Sequence, residues 1–162
     1  MNMFDFAVQM EKDAETLYLK MAAEAPVEGI KKVLQMLAEE EARHRFAIEQ
    51  LQKKQEVSPT KGVALEIKTV FNELRHDKSI IQISEDALDD YQKALKIEEK
   101  GIQFYKEQFA KAGDEATAKL FEVLMKQESY HYKTVENVLE MVRKPQWWVE
   151  DAEFNPRDSE YY

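Results

Sequence analysis

Glu11 and Glu98, Glu41 and Glu128, His44 and His131, and Tyr18 and Tyr105 are each separated by 87 residues. The chain therefore contains itself twice, over residues 1–57 and 88–144, and the repeated positions carry metal-binding residue types. Each half reads Glu, then 30 residues later Glu-x-x-His. Together the halves offer four carboxylates and two imidazoles, the ligand set of a carboxylate-bridged two-metal centre projecting into the core of a four-helix bundle.

Helical phase decides whether these side chains face water or core. At about 100° per residue, Phe121, Leu124, Val135 and Leu139 all fall within about 40° of Glu128, and Leu34, Leu37 and Ile48 stand in the same relation to Glu41. His44 and His131 lie about 60° from those carboxylates, on the same stripe. Glu11 shares its face with Phe4, Ala7, Tyr18 and Ala22, and Glu98 with Tyr91, Ala94, Tyr105 and Phe109. Depth agrees with direction. Glu11 lies 14 residues before Ala25 and Glu41 16 after it, while Glu98 and Glu128 are each 15 residues from Gly113. Antiparallel hairpins would bring all four to one level.

An ionised carboxylate buried without a partner costs several kcal/mol, and no Lys or Arg on these stripes offsets the four. Two divalent cations would. Glu and His donors with bridging carboxylates favour two iron ions, with manganese or zinc as substitutes. Four close carboxylates without metal should all have raised pKa values.

A lone Glu-x-x-His means little in a chain with 23 Glu, and all three histidines have one. The third, Glu73 to His76, faces away from its apolar stripe and has Arg43 thirty residues upstream, so a solvated face is its expected role. Glu39, Glu40 and Glu99, beside inward-facing ligands, are likewise expected on solvated faces. Tyr18 and Tyr105 should fill core space with their hydroxyls hydrogen-bonded. Gly101 faces the site, where a missing side chain leaves room for a ligand.

Four long helices must position these groups. The first begins after the N-cap Asn2 and ends near Ala25; Pro26 fits the first turn of the second, which runs to about Gln55. The third starts after Ser84 and ends at Gly113, and Asp114 caps the fourth, which Pro145 stops. Between Glu56 and Ile83, Val63, Ile67, Val70, Phe71 and Leu74 have helical spacing and predict a short crossover helix. The chain thus divides into an all-α bundle, 1–145, and an aromatic tail, 146–162, expected to pack on the bundle or a partner.

Composition narrows the partners. A net charge of −9 and a pI near 5.0 disfavour nucleic acid, and no apolar run reaches the ~18 residues a bilayer span requires. With no cysteine, thiolate zinc sites and iron–sulfur clusters are excluded within these residues. A cytoplasmic protein without a membrane partner is expected.

On Glu11, Glu41-x-x-His44, Glu98 and Glu128-x-x-His131, the chain resembles the ferritin-like diiron-carboxylate superfamily, specifically its rubrerythrin-like branch, over about residues 3 to 143. The resemblance implies two helical hairpins joined by a long crossover, with Glu41 and Glu128 bridging two metals, Glu11 and Glu98 as terminal carboxylates, and one histidine on each metal. These four carboxylates are then the catalytic groups. It further implies a non-haem oxidoreductase reducing hydrogen peroxide or oxygen, acting in oxidative stress as a homodimer or higher homo-oligomer. Full rubrerythrins add a cysteine-ligated rubredoxin domain and a Glu three residues after the third-helix ligand. Here that position is Gly101 and cysteine is absent, so an external electron donor protein is expected. A ferroxidase serving iron sequestration and a structural metal-binding bundle are the alternatives.

The wheel separates the histidines. His44→Ala and His131→Ala should each weaken one metal position at least about tenfold, whereas His76→Ala should leave metal stoichiometry unchanged. Metal analysis of the three variants after reconstitution checks this; core metal lost from the His76 variant would overturn the assignment.

Overall fold

The computed structural model describes residues 1–57, 62–75 and 83–143. These form five helices: α1 (Met3–Ala23), α2 (Glu28–Gln52), α3 (Ala64–Leu74), α4 (Glu85–Lys111) and α5 (Glu115–Arg143). The aromatic tail, Pro145, Pro59 and His76 lie outside the described residues.

Three helix starts follow from short polar side chains that replace a missing backbone acceptor. Asn2 Oδ1 accepts from the Asp5 amide at 2.9 Å, Ser84 Oγ from Ala87 at 3.1 Å, and Asp114 Oδ1 from Thr117 at 2.8 Å. α2 departs from this rule and from expectation. Pro26 lies before the helix, whose N-cap is Val27 with no side-chain hydrogen bond. α4 ends at Lys111 with Ala112 as its C-cap, so Gly113 belongs to the turn and its φ is not positive. The chain reverses here without using glycine's left-handed freedom.

α1 packs on α2 and α4 on α5 as two tight hairpins, which associate through α1 with α4 and α2 with α5. The short connections allow only antiparallel neighbours, and α3 lies in the long crossover, packed against α2. Arg45 of α2 reaches Glu15 of α1 at 3.1 Å, and Lys20 of α1 reaches the buried Asp90 of α4 at 3.0 Å.

The core is split in two. One cluster gathers Tyr18, Met21, Leu34, Leu37, Tyr91, Val138 and Leu139 with Ile67, Phe71 and Leu74 of α3. The other gathers Ala7, Ala47, Ile48, Tyr105, Phe121 and Leu124. Along every long helix, the buried residues between the clusters include Glu, with His on two helices. A polar layer therefore crosses the whole bundle.

α3 seats on α2 where Gly29 has no side chain: a Cβ there would meet Leu74 Cδ2 at 2.5 Å and Cγ at 2.8 Å. Gly29→Ala gains up to about 1 kcal/mol of helix propensity, less in a first turn, but overpacking costs about 1–3 kcal/mol. Net destabilisation on the order of 1 kcal/mol is expected in urea unfolding, with relief by Leu74→Ala in a double-mutant cycle. Additive effects would show that Gly29 does not seat the crossover.

Candidate metal centre

Glu11, Glu41, His44, Glu98, Glu128 and His131 are at most 2% exposed, and the fold brings all six together. Their helical phases place them on the stripes that bury against one another, and the hairpin turns set their common level. The His44 and His131 rings lie nearly parallel, 11° apart in plane with centroids separated by 5.3 Å. Both turn Nδ1 toward the carboxylates.

Glu41 stands between them. Its Oε1 is 2.9 Å from His131 Nδ1 and its Oε2 is 3.3 Å from His44 Nδ1. His44 Nδ1 also lies 2.9 Å from Glu128 Oε1 and 3.5 Å from Glu11 Oε2, and His131 Nδ1 lies 3.7 Å from Glu98 Oε1. The terminal carboxylates thus pair by hairpin, Glu11 with His44 and Glu98 with His131. Tyrosines cross the other way: Tyr18 of α1 donates to Glu98 Oε1 of α4, and Tyr105 of α4 donates to Glu11 Oε1 of α1. The expected hydroxyl bonds are present, and their partners are the site itself.

Several close approaches are not aligned as hydrogen bonds. His44 Nδ1, Glu41 Oε2, Glu98 Oε2 and Glu128 Oε1 are buried without a hydrogen-bond partner. Buried polar atoms ordinarily find one. Lone pairs left unpaired around a shared space are what a cation would satisfy, and one ligand atom each from Glu41, His44, Glu128 and His131 lie within 4.8 Å of one another. The residues present therefore fit a metal centre.

Glu40 overturns its expected solvated role. It is 1% exposed, and its Oε2 accepts from His131 Nε2 at 2.8 Å. Gln127 was also missed: its Oε1 lies 2.7 Å from His44 Nε2. Both lie only about 40° beyond the histidine of their own helix, at the edge of the buried stripe, where the packing of α2 against α5 covers them. The sequence signal was the repeat, since 127 − 40 is again 87. Glu39 and Glu99 are exposed as expected.

Burial dominates the electrostatics. It raises Glu41 to about 8, with Glu98 and Glu11 adding repulsion against the lowering pull of His131, and raises Glu128 to about 7, reinforced by Glu41 and Glu11. Glu98 is pushed well up by burial and then by Glu128. Glu11 breaks the expectation that all four would rise: burial opposes its ionisation, but the close approach and charge attraction of the His44 ring outweigh it and leave the pKa lowered. Burial likewise opposes Glu40, where His131 prevails and lowers it. Against burial, the surrounding carboxylates raise both histidines well above 6.5.

Metal-free protein should accordingly lose stability with rising pH. A carboxyl with a raised folded pKa keeps its protonated-state stability below the unfolded value near 4.5 and loses it as pH climbs through about 7 for Glu128 and about 8 for Glu41. The raised histidines act in the same sense above 6.5, while Glu11 and Glu40 act oppositely only below about 4.5. Glu128→Gln removes one such group. Its stability relative to wild type should improve by on the order of 2 kcal/mol from pH 5 to pH 7 in metal-free thermal melts. An equal difference at both pH values would exclude Glu128 from a shared buried layer.

No helix among the described residues is long and apolar enough to cross a membrane. Neither the curated proteins nor the solved structures contain a significant match to the chain. The family model for rubrerythrin, however, matches residues 2–139, a span that includes all six ligand-type residues and all but the last turn of the second hairpin. With that match over most of its length and an all-α bundle around a buried Glu/His cluster, the chain belongs to the rubrerythrin family of ferritin-like diiron-carboxylate proteins.

Proposed function

We propose that the protein is a diiron oxidoreductase that reduces hydrogen peroxide or oxygen. The observation that carries this reading is Glu41, whose two oxygens face the inward nitrogens of two different histidines amid buried oxygens that lack partners. In this reading Glu11 and His44 would hold one ion and Glu98 and His131 the other, with Glu41 and Glu128 contributing to both. When bound, two ferrous ions would supply Lewis acidity and the two electrons that, with two protons, convert one peroxide to water.

The chain's own groups set the conditions. Tyr18 and Tyr105 fix one oxygen of each terminal carboxylate, leaving the other Glu98 oxygen without a hydrogen-bond partner and available to a cation. The two apolar clusters wall off the layer from both ends of the bundle and limit water inside it. Gly101 keeps one side of the layer clear: a Cβ there would stand 2.8 Å from Glu128 Oε2, so its absence gives that carboxylate room to move. No thiolate in these 162 residues can relay electrons, so the proposed donor lies outside them. The proposal carries with it a homodimer or higher homo-oligomer as the working assembly.

Anaerobic reconstitution should give about two iron ions per chain, the number that balances the four ligand-type carboxylates Glu11, Glu41, Glu98 and Glu128. One equivalent of peroxide per iron pair should then oxidise both ions, read as near-ultraviolet ferric absorbance, and should act faster than oxygen. Iron uptake continuing far beyond two per chain would favour sequestration. A ferrous form inert to both oxidants, or zinc that iron cannot displace, would overturn the oxidoreductase reading.

A further inference from the structure

Two repeat-related residues behind the histidines differ in charge. Glu40 and Gln127 each immediately precede the shared carboxylate of their helix, and each reaches across to the histidine of the opposite hairpin. Glu40 Oε2 lies 2.8 Å from His131 Nε2, and Gln127 Oε1 lies 2.7 Å from His44 Nε2. In geometry the two contacts are equivalent. In chemistry they are not, because one places a carboxylate and the other a neutral amide behind the ring.

We infer that Glu40 and Gln127 make the two halves of the centre unequal, so that a divalent cation fills the position of Glu98 and His131 before that of Glu11 and His44. The inference rests on the two-metal reading above. Both Nε2 atoms face oxygen acceptors, so each ring can keep its proton on Nε2 and offer the Nδ1 lone pair when a cation takes the inward side. A carboxylate accepting that proton increases the electron density on the ring, and changes in such outer partners shift metal affinity by about 10–100-fold. Glu40 also brings a fifth carboxylate to the layer, in direct contact with His131 and attracted more weakly by His44. Its second oxygen, Oε1, is buried without a hydrogen-bond partner, and of the cationic groups that favour its charge His131 outweighs His44 and Arg43. Gln127 offers the same shape and none of the charge. Glu40 and Gln127 are positioning residues, acting on the ions through the imidazoles.

The test uses the full chain and manganese(II). Crystals grown with one equivalent should show anomalous scattering at the His131 position, and calorimetric titration should show two ions with the first bound at least about tenfold more tightly. Glu40→Gln should weaken the first step about 10–100-fold and spread the single ion over both positions. Exchanging the pair, Glu40→Gln with Gln127→Glu, keeps the total charge and should move the first ion to the His44 position, which a merely structural role for Glu40 would not do. Should the Glu40 variants fail to fold, Gln127→Glu alone should even out the two positions. Two ions distributed equally in wild type, or a first ion unmoved by the exchange or by Gln127→Glu, would overturn this inference alone. Failure of wild type to take up two ions would instead overturn the two-metal reading.

Discussion

Everything else in this molecule depends on holding five carboxylates and two imidazoles in a layer that water does not reach. Each ionised group buried there without compensation would cost several kcal/mol. The metal-free bundle answers with protons. Burial pushes Glu41, Glu98 and Glu128 toward the protonated form, while the surrounding carboxylates push His44 and His131 upward and the two rings in turn hold Glu11 and Glu40 down. Cations can replace those protons because the same inward atoms that hold them are ligand atoms, so uptake of metal and release of protons become one linked process.

Such a layer interrupts the apolar core, and the architecture absorbs the interruption. Aliphatic and aromatic side chains close above and below it as two clusters, the larger completed by α3. The hairpins contribute equivalent ligands from opposite directions, yet they are also bound to one another through the layer. Tyr18 and Tyr105 each hold the carboxylate of the other hairpin's first helix, and each histidine meets a residue from the helix facing it. Polar contacts therefore fix how the hairpins are docked, where apolar packing alone would tolerate small slides.

Much of this was legible because helical phase and residue counting are rigid constraints. A difference of 87 residues between like residues, a stripe position and an equal distance from a turn suffice to locate Glu11, Glu41, Glu98, Glu128 and both histidines without any knowledge of contacts. Glu40 was not legible by the same rule, since it lies at the stripe's edge, where the neighbouring helix decides between water and burial. Glu11 defeated a different simplification. Its environment resembles that of the other three carboxylates in burial, but proximity to the His44 ring reverses the direction of its shift. Pro26 and Gly113 show the limits of punctuation: both mark turns correctly, but each turn lies a residue or two from the boundary the residue type implied.

Duplication alone would have left two identical halves; among the many positions where they now differ, two border the site. The counterpart of Gly101, 87 residues earlier, is Ala14; the counterpart of Glu40 is Gln127. One difference clears space beside Glu128, where even a methyl group would press on Oε2. The other adds charge behind His131 and none behind His44. Neither replaces one of the six ligand-type residues, so the paired ligand scaffold survives both changes. A pair of equivalent ions would share every electron and every incoming molecule equally, whereas unequal surroundings give the two positions different affinities and a preferred side of approach. In this fold, asymmetry of that kind arises most cheaply one residue or one helical turn away from the ligands, where Glu40 has Gln127 as its counterpart and Gly101 has Ala14.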